Sequence, residues 1–119
     1  MKTIRILLSV ILLTTITAGL SAQSKKTQAQ SLKTETFKVW GKCESCKTRI
    51  ETAVKAEGAA TASWDQKTML LAVSYDPQKT SVDAMQKKVA SVGHDTEKYK
   101  APDDVYASLP SCCHYDRVK

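Results

Sequence analysis

The sequence carries no Ser/His/Asp set, no pair of acid–base carboxylates and no phosphate loop, so the parts of hydrolytic and phosphoryl-transfer chemistry are missing. Aromatic residues are scarce, at 6% of the chain. No basic stripe interleaved with aromatics argues for nucleic acid, although the net charge is +6. No internal repeat stands out. A length of 119 residues excludes a multi-domain enzyme. Neither catalysis nor a small-molecule substrate is expected.

The apolar residues are unevenly spread. Much of the Ile and Leu falls in residues 4–20, behind Lys2 and Arg5, and small residues follow at Ala18, Gly19, Ser21 and Ala22. A basic start, a short apolar run and a small-residue junction describe a secretory signal peptide, residues 1–22, cut before Gln23. An uncleaved anchor is the alternative, but the run is short against the roughly 20 residues of a membrane span and holds several threonines. No Cys lies at the junction to accept a lipid. The expected location is periplasmic or secreted. Residues 23–34 are polar and aperiodic, which reads as a flexible leader.

From Glu35 the pattern becomes regular. Thr36 to Trp40 alternate as a strand, with Phe37 and Val39 inward. Cys46, Ile50, Ala53 and Val54 share one face of a helix over 45–57, with Glu51 and Lys55 as an i,i+4 pair and Gly58 at its end. Strands at 60–64 and 69–75 flank a short polar turn, and Ser81 caps a helix through Val82, Met85, Val89 and Val92. Residues 94–99 complete a β-α-β-β-α-β order. That order predicts an α+β, ferredoxin-like domain over 35–100: a four-stranded antiparallel sheet with both helices on one face. Residues 101–119 form a Cys/His-containing extension, with a short helix anchored by Tyr106 and Leu109.

All four cysteines lie beyond the cut: Cys43, Cys46, Cys112 and Cys113. An even number in an oxidising compartment allows two disulfides, yet the C-x-x-C and the vicinal pair close no long loop. They resemble ligands or redox thiols more than staples. Cys43 before the first helix and Cys46 in its first turn bring two sulfurs to a helix N-terminus, where orphan N–H groups and the dipole favour thiolate. Lys42, Lys47 and Arg49 add positive charge. Two convergent thiolates suit a soft ion: Cu(I) first, Hg(II) next, then Zn(II) or Cd(II) with further ligands.

With these pieces in place, residues 35–100 resemble the heavy-metal-associated domain of copper chaperones, metal-transporting ATPase tails and the periplasmic mercury-binding protein. The resemblance rests on Cys43-Glu44-Ser45-Cys46 after the first strand, Tyr75-Asp76-Pro77 after the third and Gly93-His94-Asp95 opening the fourth. It implies metal binding by Cys43 and Cys46. It also places His94 beside the metal loop, as ligand, supporting contact or plain surface residue. The family's loop carries Met where this chain has Gly41.

Cys112-Cys113-His114 lies past the end of a minimal domain of this kind. Six residues of strand carry Lys100 about 20 Å from the loop, and the next dozen can span back about 40 Å. The tail is therefore expected to return and add Cys112, Cys113 and His114 to the site. A vicinal disulfide, intermolecular pairing or a free tail are the alternatives.

The function expected is an exported soft-metal-binding protein that captures metal through the C-x-x-C and transfers or sequesters it. A metal-transporting membrane protein or another thiol-rich acceptor is the expected partner. The chain is expected to be a monomer, with a metal-bridged dimer as the alternative. The competing function is a thiol–disulfide oxidoreductase with Cys43 as nucleophile, although thioredoxin-like chains need a different element order and a cis-proline beside the site, and no suitably placed proline follows a core strand.

Overall fold

A computed structural model describes residues 31–117 of the chain. The expected signal peptide, residues 1–22, and residues 23–30 of the expected leader lie outside the described residues. Strand β1 spans Lys33–Lys38, helix α1 Glu44–Ala56, strands β2 Ala59–Trp64 and β3 Leu70–Tyr75, and helix α2 Val82–Ser91. A short helix, α3, covers Asp103–Ala107, and a 3-10 turn covers Ser111–Cys113. The first strand thus begins inside the expected leader and stops before Trp40.

The strands pair antiparallel in the order β1-β3-β2. Leu71 sits at the centre, opposite Phe37 on one side and Trp64 on the other. Alternation puts Leu71, Val73 and Tyr75 on the buried face of β3. Helix α1 buries the face that its spacing predicts: Cys46, Ile50, Ala53 and Val54. Helix α2 buries Met85, Gln86, Val89 and Ala90, and Ser81 Oγ accepts from Ala84 N at 3.1 Å as its cap. Glu51 pairs with Lys47 rather than Lys55, because its carboxylate also accepts from Trp64 N.

Two sequence expectations need correction. Met69 has a φ of 60° and closes the β2–β3 turn, so β3 starts one residue later. The fourth strand shrinks to a single bridge, Val39 opposite Thr96, and among the described residues the sheet has three strands. Trp40 N donates to Asp95 O at 2.9 Å and Glu97 N to Lys38 O at 3.2 Å. Beyond that, Thr96 N donates to Tyr99 O at 2.7 Å and Thr96 Oγ1 accepts from Tyr99 N at 2.9 Å. This local turn takes the backbone groups that a strand needs for pairing.

Chain reversal after α2 depends on Gly93. Its φ is +111°, and a Cβ there would stand 2.8 Å from Leu109 Cδ2. Both the backbone and the space exclude a side chain. Gly93→Ala is expected to destabilise the fold by about 1–3 kcal/mol, the usual strain of such a backbone, read as a lower midpoint in urea unfolding. An unchanged midpoint would show that Leu109 does not pack there in solution.

Candidate metal centre

The loop from Val39 to Cys43 is held from several sides. Trp64, 2% exposed, lies under it and donates its indole N–H to Val39 O at 2.9 Å. A Cβ on Gly41 would meet the Trp64 ring at 2.9 Å and Cys46 Cβ at 3.1 Å. The indole thus fills the space beneath the loop, and glycine at 41 is what lets it. Gln66 Nε2 donates to Lys42 O at 2.7 Å from the opposite turn. Trp40 O accepts from His94 Nδ1 at 2.9 Å.

Cys43 is the N-cap residue of α1, in extended conformation, and its side chain caps nothing. Its carbonyl accepts from Cys46 N and Lys47 N, at 2.9 and 3.1 Å. The thiol is left to face its neighbours. Cys43 Sγ lies 3.4 Å from Cys46 Sγ, 3.1 Å from Cys112 Sγ and 3.4 Å from Cys113 Sγ. Cys112 and Cys113 Sγ are 3.9 Å apart. The sulfurs of Cys43, Cys112 and Cys113 all lie within 4.8 Å of one another. All four cysteines are free thiols: Cys46 and Cys113 buried, Cys43 intermediate, Cys112 exposed. The tail thus returns to the loop, and 69 residues of chain separate Cys43 from Cys112.

Proton sharing in this group is unequal. Burial pushes the Cys43 thiol up, but its hydrogen bonds with Cys112, Cys46 N, Cys113 and Cys46 outweigh it and lower it to about 6. Burial pushes Cys113 well above its ordinary value, and its contacts with Cys46 and Cys43 push the same way. The surroundings therefore favour thiolate at Cys43 and thiol at Cys113. Lys47 contributes less positive charge here than the sequence suggests, since its ammonium is bound by Glu51 and Trp64 O.

The two histidines lie outside this sulfur group. His94 is fully buried and stacked on Tyr115, with ring centroids 5.3 Å apart. Burial lowers its pKa, and the Arg49 charge adds to that against the opposing Trp40 hydrogen bond. With Nδ1 on a carbonyl the ring is assigned as the Nδ1–H tautomer, leaving Nε2 as a buried atom without a partner. Its visible work is to hold the loop. His114 is exposed and rests on the Tyr106 ring at 5.2 Å. Sequence reasoning missed Trp64 as the floor of the site and Tyr115 and Arg117 as fasteners of the tail. The first had a signal in the glycine at 41; the others had none.

The heavy-metal-associated domain profile matches residues 36–95. A zinc-transporting ATPase of Synechocystis is 36% identical over 77 residues, which is 63% of this chain but 11% of that protein. A copper-exporting P-type ATPase of Staphylococcus saprophyticus is 36% identical over 59 residues, 49% of this chain and 7% of that protein. The chain thus spans a small part of either transporter. Among solved structures, the CopZ metallochaperone is similar at a TM-score of 0.51 and 27% identity, covering 54% of this chain and 98% of that one. The chain belongs to the heavy-metal-associated domain family, and its cysteine cluster supplies the soft donors of a heavy-metal-binding module.

A thiol lowered to about 6 is thiolate above that pH and loses its reactivity below it. In the reduced, metal-free protein, iodoacetamide at pH 7 should mark Cys43 first by peptide mapping, with a rate midpoint near pH 6. Cys112→Ala, which removes that hydrogen-bond partner, should shift the midpoint upward. A Cys43 midpoint near the ordinary thiol value would contradict this distribution of protons.

Proposed function

We propose that this member of the heavy-metal-associated domain family captures Cu(I) as cargo on its converged thiols and passes it to a thiol-rich acceptor, such as a metal-transporting membrane protein. The observation that carries this reading is the approach of Cys46, Cys112 and Cys113 to Cys43 within 3.1–3.4 Å. An all-sulfur donor set selects soft ions, and thiolates suit Cu(I) above the harder divalent ions. The copper-exporting relative supports copper, and the zinc-transporting one keeps Zn(II) as the next cargo to test. The CopZ likeness supports a carrier role over an enzymatic one.

In this reading Cys43 and Cys46 are the primary ligands and Cys112 and Cys113 complete the set. His94 holds the loop through Trp40 O, and His114 supplies a reserve donor at the exposed edge. Transfer would proceed by ligand exchange, an incoming thiolate adding to the bound ion as one cluster thiolate leaves. The apolar run behind Lys2 and Arg5 supports export, with residues 1–22 removed and the protein working as a monomer in the periplasm or outside the cell.

A second reading, thiol–disulfide exchange, is favoured by the low Cys43 thiol and its 3.1 Å approach to Cys112. Anaerobic competition against a chromophoric Cu(I) chelator separates the two. The Cys43→Ser/Cys46→Ser variant should lose high-affinity Cu(I) binding while keeping its far-UV circular dichroism. Unchanged affinity in that variant would overturn the carrier reading, and turnover of a disulfide substrate by metal-free protein would install the other.

A further inference from the structure

Cys112 and Cys113 stand on weak local structure. They belong to a three-residue 3-10 turn that follows a five-residue helix, and pieces this short do not hold themselves in water. They also lie beyond the family match, which ends at residue 95. Their place over the loop must come from contacts on either side.

On the N-terminal side, Leu109 is buried against Gly93. On the C-terminal side the fastening is polar and more specific. Tyr115, 3% exposed, donates its hydroxyl hydrogen to Gly93 O at 2.7 Å and accepts from Asp95 N at 2.8 Å. One oxygen thus bridges the two residues that flank His94. Tyr106 OH donates to Tyr115 O, closing the tail on itself. Two residues on, Arg117 binds both oxygens of Asp95, at 2.8 and 3.2 Å, and reaches Asp103 at 2.8 Å and Ala101 O. The Asp95 side chain is fully buried and that of Arg117 is 18% exposed. The Arg117 guanidinium also lies 4.7 Å from the Tyr106 ring centre. A buried, bidentate pair of this kind is directional and is not matched by lysine.

We infer that Tyr115 and Arg117 are positioning residues that lock Cys112 and Cys113 over Cys43 and Cys46, and thereby set how many thiolates the cargo receives. The inference rests on the reading of the four cysteines as ligands. With the lock closed, an ion that needs three or four sulfurs finds them already in place, and little conformational entropy is lost on binding. With the lock open, the tail thiols are tethered but unplaced, and Cys43 and Cys46 offer two sulfurs alone. The lock therefore favours cargo of higher sulfur number over ions content with two thiolates. It works through residues 93–95, so the same segment that steadies the loop through His94 also holds the lid of the site.

The test uses the full-length reduced chain and Cd(II) as probe, with sulfur number from X-ray absorption and affinity from chelator competition. Tyr115→Phe removes both hydroxyl bonds and keeps the ring; Arg117→Ala removes the fork; Arg117→Lys keeps the charge alone. Each should lower the sulfur number toward two and weaken Cd(II) binding by about 10- to 100-fold, as loss of outer support to metal ligands does. Arg117→Lys should fall between Arg117→Ala and the unaltered chain. Circular dichroism establishes that each variant is folded, and if Arg117→Ala is not, Tyr115→Phe and Arg117→Lys carry the test. Cys112→Ser/Cys113→Ser is the companion variant. A drop in sulfur number there, with unaltered sulfur number and affinity in folded Tyr115→Phe and Arg117→Lys, would overturn the lock. No change in the companion variant would instead overturn the assignment of the tail thiols as ligands.

Discussion

Residues 93–96 run through the interior, and a buried backbone group left without a partner costs about 1–3 kcal/mol. A full fourth strand would meet that demand by pairing along β1. Here β1 ends at Lys38 and the pairing is a single bridge at Val39 and Thr96. Gly93 O and Asp95 N are satisfied instead by one side chain, the hydroxyl of Tyr115. The Asp95 carboxylate is held by Ala101 N at 2.7 Å and by Arg117. The C-terminal tail is thus part of the hydrogen-bond completion of the core. That is why Leu109, Cys113 and Tyr115 join the buried cluster with residues of α1 and the sheet. Thiols on such a tail inherit its position.

The electrostatics of the sulfur cluster follow from this closure. A thiol at a helix N-terminus already gains from the dipole and from unpaired N–H groups. Lys42 N donates to Cys46 Sγ at 3.3 Å, in keeping with that. The tail brings two more thiols within 3.1–3.4 Å of Cys43, and the same contacts that favour its thiolate make a second charge at Cys113 costly. A cluster of thiols at 3.1–3.9 Å can carry one negative charge easily and more only if a cation arrives. Binding a soft ion then means exchanging the shared protons for the ion, which ties affinity to pH in the sense that protons compete.

Much of this was legible in the residues. Period-2 and period-3.6 apolar spacing marked β1, α1, β3 and α2, and Ser81 and Gly58 marked their ends, because those signals are local. Cys43 and Cys46 were legible for the same reason. Arithmetic on chain reach showed that the tail could return, and its vicinal cysteines made a reason for it to do so. What held it there was not legible. Tyr115 and Arg117 sit in a stretch with no period, and their partners at 93–95 lie about twenty residues away, where spacing says nothing about contact. The fourth strand was overread because Thr96 competes for the backbone with its own hydroxyl, a choice that only tertiary context decides. The sequence leaves His94 open between ligand, supporting contact and surface residue, and its stacking on Tyr115 of the tail and its Nδ1 bond to Trp40 O of the loop are tertiary contacts that spacing does not reveal.

Burial also orders the four sulfurs for exchange. Cys46 and Cys113 are closed off from solvent, whereas Cys112 is exposed and Cys43 partly so. On the carrier reading, an incoming thiolate reaches the ion from the side of Cys112 and Cys43, and Cys112 is the sulfur that can leave without breaking the core. Cys113 cannot leave that way, because its neighbours Leu109 and Tyr115 are buried with it. Release of the ion would then begin at Cys112, pass through the partly exposed Cys43 and end on the buried Cys46 and Cys113. The tail adds one buried and one exposed sulfur to the C-x-x-C pair, and the contacts of Tyr115 and Arg117 with residues 93–95 tie down the segment that carries them.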